Sequence, residues 1–94
     1  PRGVRVNAVS PGFIVQSQHR ERYEEEGNSE YRRIAEFAHP IPRVGTESDV
    51  ARAVRFLASP EAAWITGQCL RVDGGVNLRE TSNVLFDFAR WPNQ

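Results

Sequence analysis

Apolar positions in this chain fall in short separate groups whose spacing changes along the sequence. Val4-Arg5-Val6-Asn7-Ala8-Val9 alternates apolar and polar, then turns nearly all apolar, and it stops at Ser10-Pro11-Gly12. That pattern predicts a strand over 4–9 ended by a Pro-Gly turn. Gln18 to Asn28 is almost wholly polar, with Glu24-Glu25-Glu26 ahead of Gly27. Tyr31, Ile34, Ala35, Phe37 and Ala38 then recur at helical spacing. Pro40 and Pro42 stop that helix, because each lacks a backbone donor and restricts the residue before it. Residues 17–39 therefore predict two short helices forming an exposed lobe.

The clearest helix is predicted over 46–59. Thr46 can cap its start, with Asp49 reaching back from three positions on. Val50, Ala53, Val54 and Leu57 mark one apolar face, and Arg52 and Arg55 the other. Ser59-Pro60-Glu61 ends it and opens a one-turn helix. Ile65-Thr66-Gly67 predicts a turn, Gln68 to Val72 a second strand, and Asp73-Gly74-Gly75 its end. The two strands are linked through helices, which predicts parallel pairing. Two strands alone do not make a stable sheet, so further strands are expected and the chain is expected to be a truncated piece.

Composition narrows the class. Twelve basic residues balance twelve acidic ones in a chain of 94 residues. This excludes nucleic-acid or membrane binding that relies on a net positive field. All twelve basic residues are arginine, so no lysine is present to form a Schiff base or lower the pKa of a neighbouring tyrosine. The single Cys69 allows neither an internal disulfide nor a four-sulfur zinc site, and no metal ligand set is predicted. Lying in a predicted strand, it is expected to be a small buried hydrophobe. No apolar run approaches the roughly 20 residues of a membrane span, no signal-peptide pattern opens the chain, and cytoplasm is the expected compartment.

Three segments in order carry a resemblance. Gly3 to Ile14, with its Val9-Ser10-Pro11-Gly12-Phe13-Ile14 ending, resembles the late strand and Pro-Gly turn of the classical short-chain dehydrogenases/reductases. Pro42-Arg43-Val44-Gly45 and Ser48-Asp49-Val50-Ala51 resemble that family's loop into its penultimate helix. Phe56-Leu57-Ala58-Ser59, Ile65-Thr66-Gly67-Gln68 and Val72-Asp73-Gly74-Gly75 resemble its last helix-to-strand passage. The match covers about residues 1–75. It implies an α/β fold: the C-terminal part of a Rossmann-type, doubly wound parallel sheet, with a substrate lobe over about 16–40.

The resemblance also implies a site. Ligands of such folds lie outside the carboxyl ends of the parallel strands, where Pro11-Gly12 falls. A glycine there lets backbone approach a flat ring. By similarity, Pro11, Gly12 and Phe13 pack against the nicotinamide of NAD or NADP, and the Ile14 backbone holds its carboxamide. Where the family commonly has a cofactor-holding Thr, this chain has Gln16. The lobe makes His19, Tyr23, Tyr31, Phe37 and His39 candidate substrate-facing residues. The plainer expectation is a solvated face for His19 and Tyr23 and lobe packing for Tyr31 and Phe37.

No catalytic residue is expected here. The family uses a Tyr with a Lys four residues on, whereas Tyr23 is followed at that distance by Gly27 and Tyr31 by Ala35. No glycine-rich turn leads into a helix as a phosphate loop would. The parent protein is thus expected to transfer hydride between a nicotinamide and a carbonyl or alcohol substrate, as a dimer or tetramer. This chain is expected to be inactive and unable to hold the cofactor alone. The alternative is a non-catalytic oligomerisation or interaction remnant of the same fold. Residues 76–94, with Val84, Leu85, Phe86, Phe88 and Trp91, form an apolar tail expected either to meet a neighbouring subunit or to fold back.

Overall fold

The computed structural model describes residues 1–78. Strand β1 is Ala8–Pro11 and strand β2 is Cys69–Val72, paired in parallel with Ala8 opposite Cys69 and Pro11 opposite Val72. Between them run helices α1 (Arg20–Tyr23), α2 (Ser29–Phe37) and α3 (Glu47–Ala58). Single 3-10 turns precede α1 and α2 and follow α3 at Pro60–Ala62. The parallel pair, the two-helix lobe and the long helix are those the sequence predicts. The predicted tail cluster from Val84 to Trp91 lies outside the described residues.

The first strand differs from its prediction. It begins at Ala8, not Val4, and continues through Pro11. Ala8 and Gly12 donate to the carbonyls of Gln68 and Val72, so alternation turns the Pro11 nitrogen to the opposite edge, where no donor is needed. Upstream, side chains supplement the ladder: beside the backbone bond from Gly67 N–H to Val6 O at 2.8 Å, Val6 N–H donates to Thr66 Oγ1 at 3.0 Å, and Gln68 N–H to Asn7 Oδ1 at 3.0 Å.

Cys69 is exposed, which corrects the expectation of a buried thiol. Helix α3 packs against both strands on one face of the sheet. Val9 lies on that face, beside Val50, Val54 and Leu57. Period-two alternation sends Ala8 and its register partner Cys69 to the other face, which no described element covers.

The capping box at the start of α3 forms as predicted. Asp49 N–H donates to Thr46 Oγ1 at 3.3 Å, while Thr46 N–H donates to Asp49 Oδ2 at 2.8 Å. Arg43 adds a bidentate pair to the same carboxylate, at 2.7 and 3.0 Å. The other end is closed from far away in sequence. The Arg5 guanidinium donates to the Leu57 carbonyl at 2.8 Å and reaches those of Ile65 and Ser59 at 3.3 and 3.4 Å. A cation there satisfies end carbonyls and opposes the negative end of the helix dipole.

The lobe is closed at its base by a short parallel bridge between Ile14 and Gly45. Gly45 N–H donates to Phe13 O at 2.9 Å and Val15 N–H to Gly45 O at 3.0 Å. A β-carbon on Gly45 would stand 2.5 Å from Ile14 Cδ1, so glycine lets the two segments close without moving the Ile14 side chain. Val15 and Val44 are buried beside this bridge; with Leu57 and Ala62 they are the buried apolar residues of the described chain.

Candidate functional site

Residues 12–16 leave the carboxyl end of β1 and form the floor of the lobe. The bridge consumes Phe13 O and Val15 N–H. Ile14 N–H and C=O lie on the other edge and make no backbone hydrogen bond among the described residues. They form a donor and acceptor pair at one peptide position. A primary carboxamide presents the complementary pair, so this backbone fits the amide of a nicotinamide.

Beside it is a cavity of about 460 Å³ lined by Phe13, Ile14, Val15, Gln16, His19, Arg22, Tyr23, Asn28 and Tyr31. Three of the predicted cofactor residues (Phe13, Ile14, Gln16) thus meet three of the predicted lobe residues (His19, Tyr23, Tyr31) around one space. The Phe13 and Tyr31 rings stand 6.3 Å apart at 51°, a tilted aromatic pair on one wall. Gln18 Nε2 donates to Gln16 Oε1 at 2.9 Å and lies 3.3 Å from His19 Nε2, linking the polar side chains at the mouth.

Other predicted residues lie elsewhere. Pro11 and Gly12 do not line this cavity. The direction in which a Gly12 side chain would point is filled by Asp73, whose Cβ and Cα would be 2.6 and 2.8 Å away. Close approach to the end of β2 therefore accounts for this glycine. Phe37 is half-buried and also lies away from the cavity. His39 is buried behind the lobe, in a second cavity of about 380 Å³ with Ile41, Arg71 and the Asp73-Gly74-Gly75 turn. Its Nδ1 is 2.6 Å from the Ala35 carbonyl, which can only accept, so the proton sits on Nδ1. Nε2 is buried without a partner among the described residues.

The Tyr23 hydroxyl is engaged by a neighbouring carboxylate. It donates to Glu36 Oε1 at 3.4 Å, and burial together with the Glu36 carboxylate pushes its pKa up to about 12. A tyrosine working as an acid/base near neutral pH needs the opposite shift. Among the described residues no His, Cys, Asp and Glu cluster could hold a metal ion, and no helix is long and apolar enough to cross a membrane.

Sequence reasoning missed Arg22, Asn28 and Val15. Arg22 lies three residues after His19, close to one helical turn, and that spacing is the signal that could have placed it on the same face. Asn28 is drawn in by its own hydrogen bond, Nδ2 donating to the Arg22 carbonyl at 2.8 Å.

The model of the family described as enoyl-(acyl carrier protein) reductase matches residues 1–77. The chain belongs to the short-chain dehydrogenase/reductase family. The peroxisomal 2,4-dienoyl-CoA reductase of Mus musculus is 39% identical over 75 residues, covering 80% of this chain and 25% of that protein. The 3-oxoacyl-acyl-carrier-protein reductase FabG of Vibrio cholerae is 43% identical over 77 residues, covering 82% of this chain and 30% of that one. The solved structure of ElxO with NADP bound superposes with a TM-score of 0.65 at 32% identity, covering 82% of this chain and 30% of that chain. This short-chain dehydrogenase/reductase chain therefore spans about a quarter to a third of the proteins it matches, and its strands, lobe and long helix are part of the family's Rossmann α/β fold.

Proposed function

We propose that this chain is part of an NAD(P)-dependent oxidoreductase that transfers hydride between a nicotinamide cofactor and a carbonyl or alcohol substrate. The observation that carries the reading is the free Ile14 peptide pair at the carboxyl end of β1, opening onto the cavity of Phe13, Gln16, His19, Tyr23 and Tyr31. Its relatives are reductases, and one related structure holds NADP. When bound, the nicotinamide supplies the hydride-carrying carbon, which no side chain can.

The chain's own residues bind and orient. Ile14 N–H and C=O hold the carboxamide and fix which ring face meets the substrate. Gln16 contacts the cofactor or the substrate from the cavity mouth. The lobe of α1 and α2 covers the site and excludes water. Acid/base chemistry comes from outside these residues, since Tyr23 is bonded to Glu36 and neither tyrosine has a lysine four residues on. The 94-residue chain alone is therefore inactive, and a small molecule, not nucleic acid or membrane, is its substrate. The parent is proposed to be a homo-oligomer, for which the wholly exposed Trp64 offers one candidate contact.

The test is nicotinamide-cofactor binding by the whole protein and by this chain, read by fluorescence of the reduced cofactor. Binding to the whole protein that weakens at least about ten-fold in Ile14→Pro, which loses the N–H, is the expected result. Micromolar binding by the isolated chain would refute its dependence on the rest of the fold. A coding sequence that starts at Pro1, with no Tyr-x-x-x-Lys segment before it, would leave the interaction-remnant reading in place.

A further inference from the structure

The charge pattern around the lobe cavity is out of keeping with the lobe that forms it. Residues 17–39 carry Glu21, Glu24, Glu25, Glu26, Glu30 and Glu36, yet no carboxylate lines the cavity. Two of these carboxylates, Glu24 and Glu36, line a different space instead. This space of about 670 Å³ is lined by Glu24, Glu36 and Asp49 among Arg20, Arg32 and Arg43. Those arginines are engaged: Arg20 pairs with Glu24 at 3.5 Å, Arg43 with Asp49 at 2.7 Å, and Arg32 donates to the Tyr23 and Glu25 carbonyls at 3.1 Å.

Arg22 differs from them. It is the one arginine lining the lobe cavity, and it makes no ion pair among the described residues. Asn28 Nδ2 and Glu25 N–H both donate to its carbonyl, at 2.8 and 3.3 Å, which fixes the backbone from which it projects. Sharing the cavity lining with it are the polar side chains of Gln16, His19 and Asn28, none of them a carboxylate, and the apolar Phe13, Ile14, Val15 and the Tyr31 ring. A single unpaired guanidinium over an aromatic and aliphatic floor attracts an anion attached to an apolar body. It can bind a carboxylate or sulfonate through two parallel N–H donors. The apolar floor rewards burial of the intervening hydrocarbon.

We infer that the substrate of this site is an apolar carbonyl compound bearing one anionic group, and that Arg22, by gripping that group, is its specificity-determining residue. The inference rests on the oxidoreductase reading, because the reacting carbonyl must lie at the Ile14 end of the cavity while the anion lies at the Arg22 end.

The test uses the whole protein with NAD(P)H and a matched pair of probes, para-acetylbenzoate and its methyl ester, in which a methyl group at the far end replaces the negative charge. Binding is read by saturation-transfer NMR titration, and turnover separately by cofactor absorbance. The acid is expected to bind at least about ten-fold more tightly than the ester. Arg22→Gln should remove that preference and leave ester binding within about two-fold, while Arg22→Lys should restore part of it. On turnover, the variant should raise KM for the acid and leave kcat little changed, as loss of uniform binding does. Equal binding of acid and ester by the unaltered protein overturns the inference, and this comparison needs no variant to fold. A proportional loss of both probes in Arg22→Gln also overturns it, since that marks damage to the lobe. If the charge preference holds but neither probe is reduced with any cofactor, the anion site stands and the oxidoreductase reading fails.

Discussion

Asp49 shows how much one side chain can organise. Its carboxylate accepts from Arg43, from Thr46 N–H and from the Thr46 hydroxyl, and these bonds, Arg43's first, hold it well below the usual carboxylate range. A carboxyl whose pKa falls on folding adds stability above its unfolded value of 3.8, and that stability is lost as the pH falls through its folded value. Thermal unfolding followed by circular dichroism should therefore show a loss of stability from about pH 4 downward, partly flattened in Asp49→Asn. Glu47, held low by the Ser17 amide, and Asp73, held low by the Gly75 amide, contribute in the same direction, so the flattening is incomplete. At neutral pH, Asp49→Ala should cost about 1–2 kcal/mol, measured as a lowered urea midpoint, because cap and clamp go together. Gly12 makes a different case. A methyl group there would collide with the Cβ and Cα of Asp73, so Gly12→Ala should destabilise by about 1–3 kcal/mol in the same assay. An unchanged midpoint would show that the strand ends can separate at no cost.

At the scale of elements, α3 is anchored at both ends by devices of opposite sequence range. Its start is closed within four residues by Thr46 and Asp49, and its end by Arg5, which lies 52 positions before Leu57. Arg5→Ala should leave the last carbonyls of α3 without their cation and cost about 1 kcal/mol. Hydrogen exchange should rise in the 57–66 segment and stay unchanged in the first turn of α3. A uniform rise along the helix would instead mean that Arg5 acts on the whole element. The lobe is held mainly at its base, by the Ile14–Gly45 bridge and by Ser17 N–H donating to the Glu47 carboxylate. The cavity therefore sits between a fixed floor and helices with few long-range contacts, an arrangement suited to admitting a ligand.

For the whole molecule, the sheet face that no described element covers is the decisive feature. Cys69 and Ala8 stand on it side by side, whereas in a doubly wound fold both faces of a parallel sheet are covered. Titration with a thiol reagent should label Cys69 in the isolated chain at the rate of a free exposed thiol. In the intact parent the same thiol should react at least about ten-fold more slowly, since burial removes access. Equal rates in both would place Cys69 on an outer surface of the complete fold. The buried apolar set is equally thin, confined to Val15, Val44, Leu57 and Ala62 among the described residues. A chain with so little interior depends on additional surface for a stability margin.

The sequence by itself determined whatever depends on neighbours in the chain. Thr46 and Asp49 specified a helix start because capping is a three-residue event, and Pro40 and Pro42 ended α2 by removing donors. The motif order from Val9-Ser10-Pro11-Gly12 to Val72-Asp73-Gly74-Gly75 was enough to indicate the family and a parallel strand pair. Tertiary structure decided which side chains share a space. His39 and Phe37 are near the other lobe residues in sequence, yet neither lines the cavity that His19, Tyr23 and Tyr31 enter: Phe37 stands on another face of α2 from Tyr31, and His39 lies past the end of that helix. Arg22 joined that cavity through its place on α1, while Arg20 and Arg32 line the space that holds Glu24 and Glu36. Cys69 carried the same lesson at the sheet: its strand was legible from sequence. Its burial was not, since burial depends on what covers a face and not on the strand that displays it.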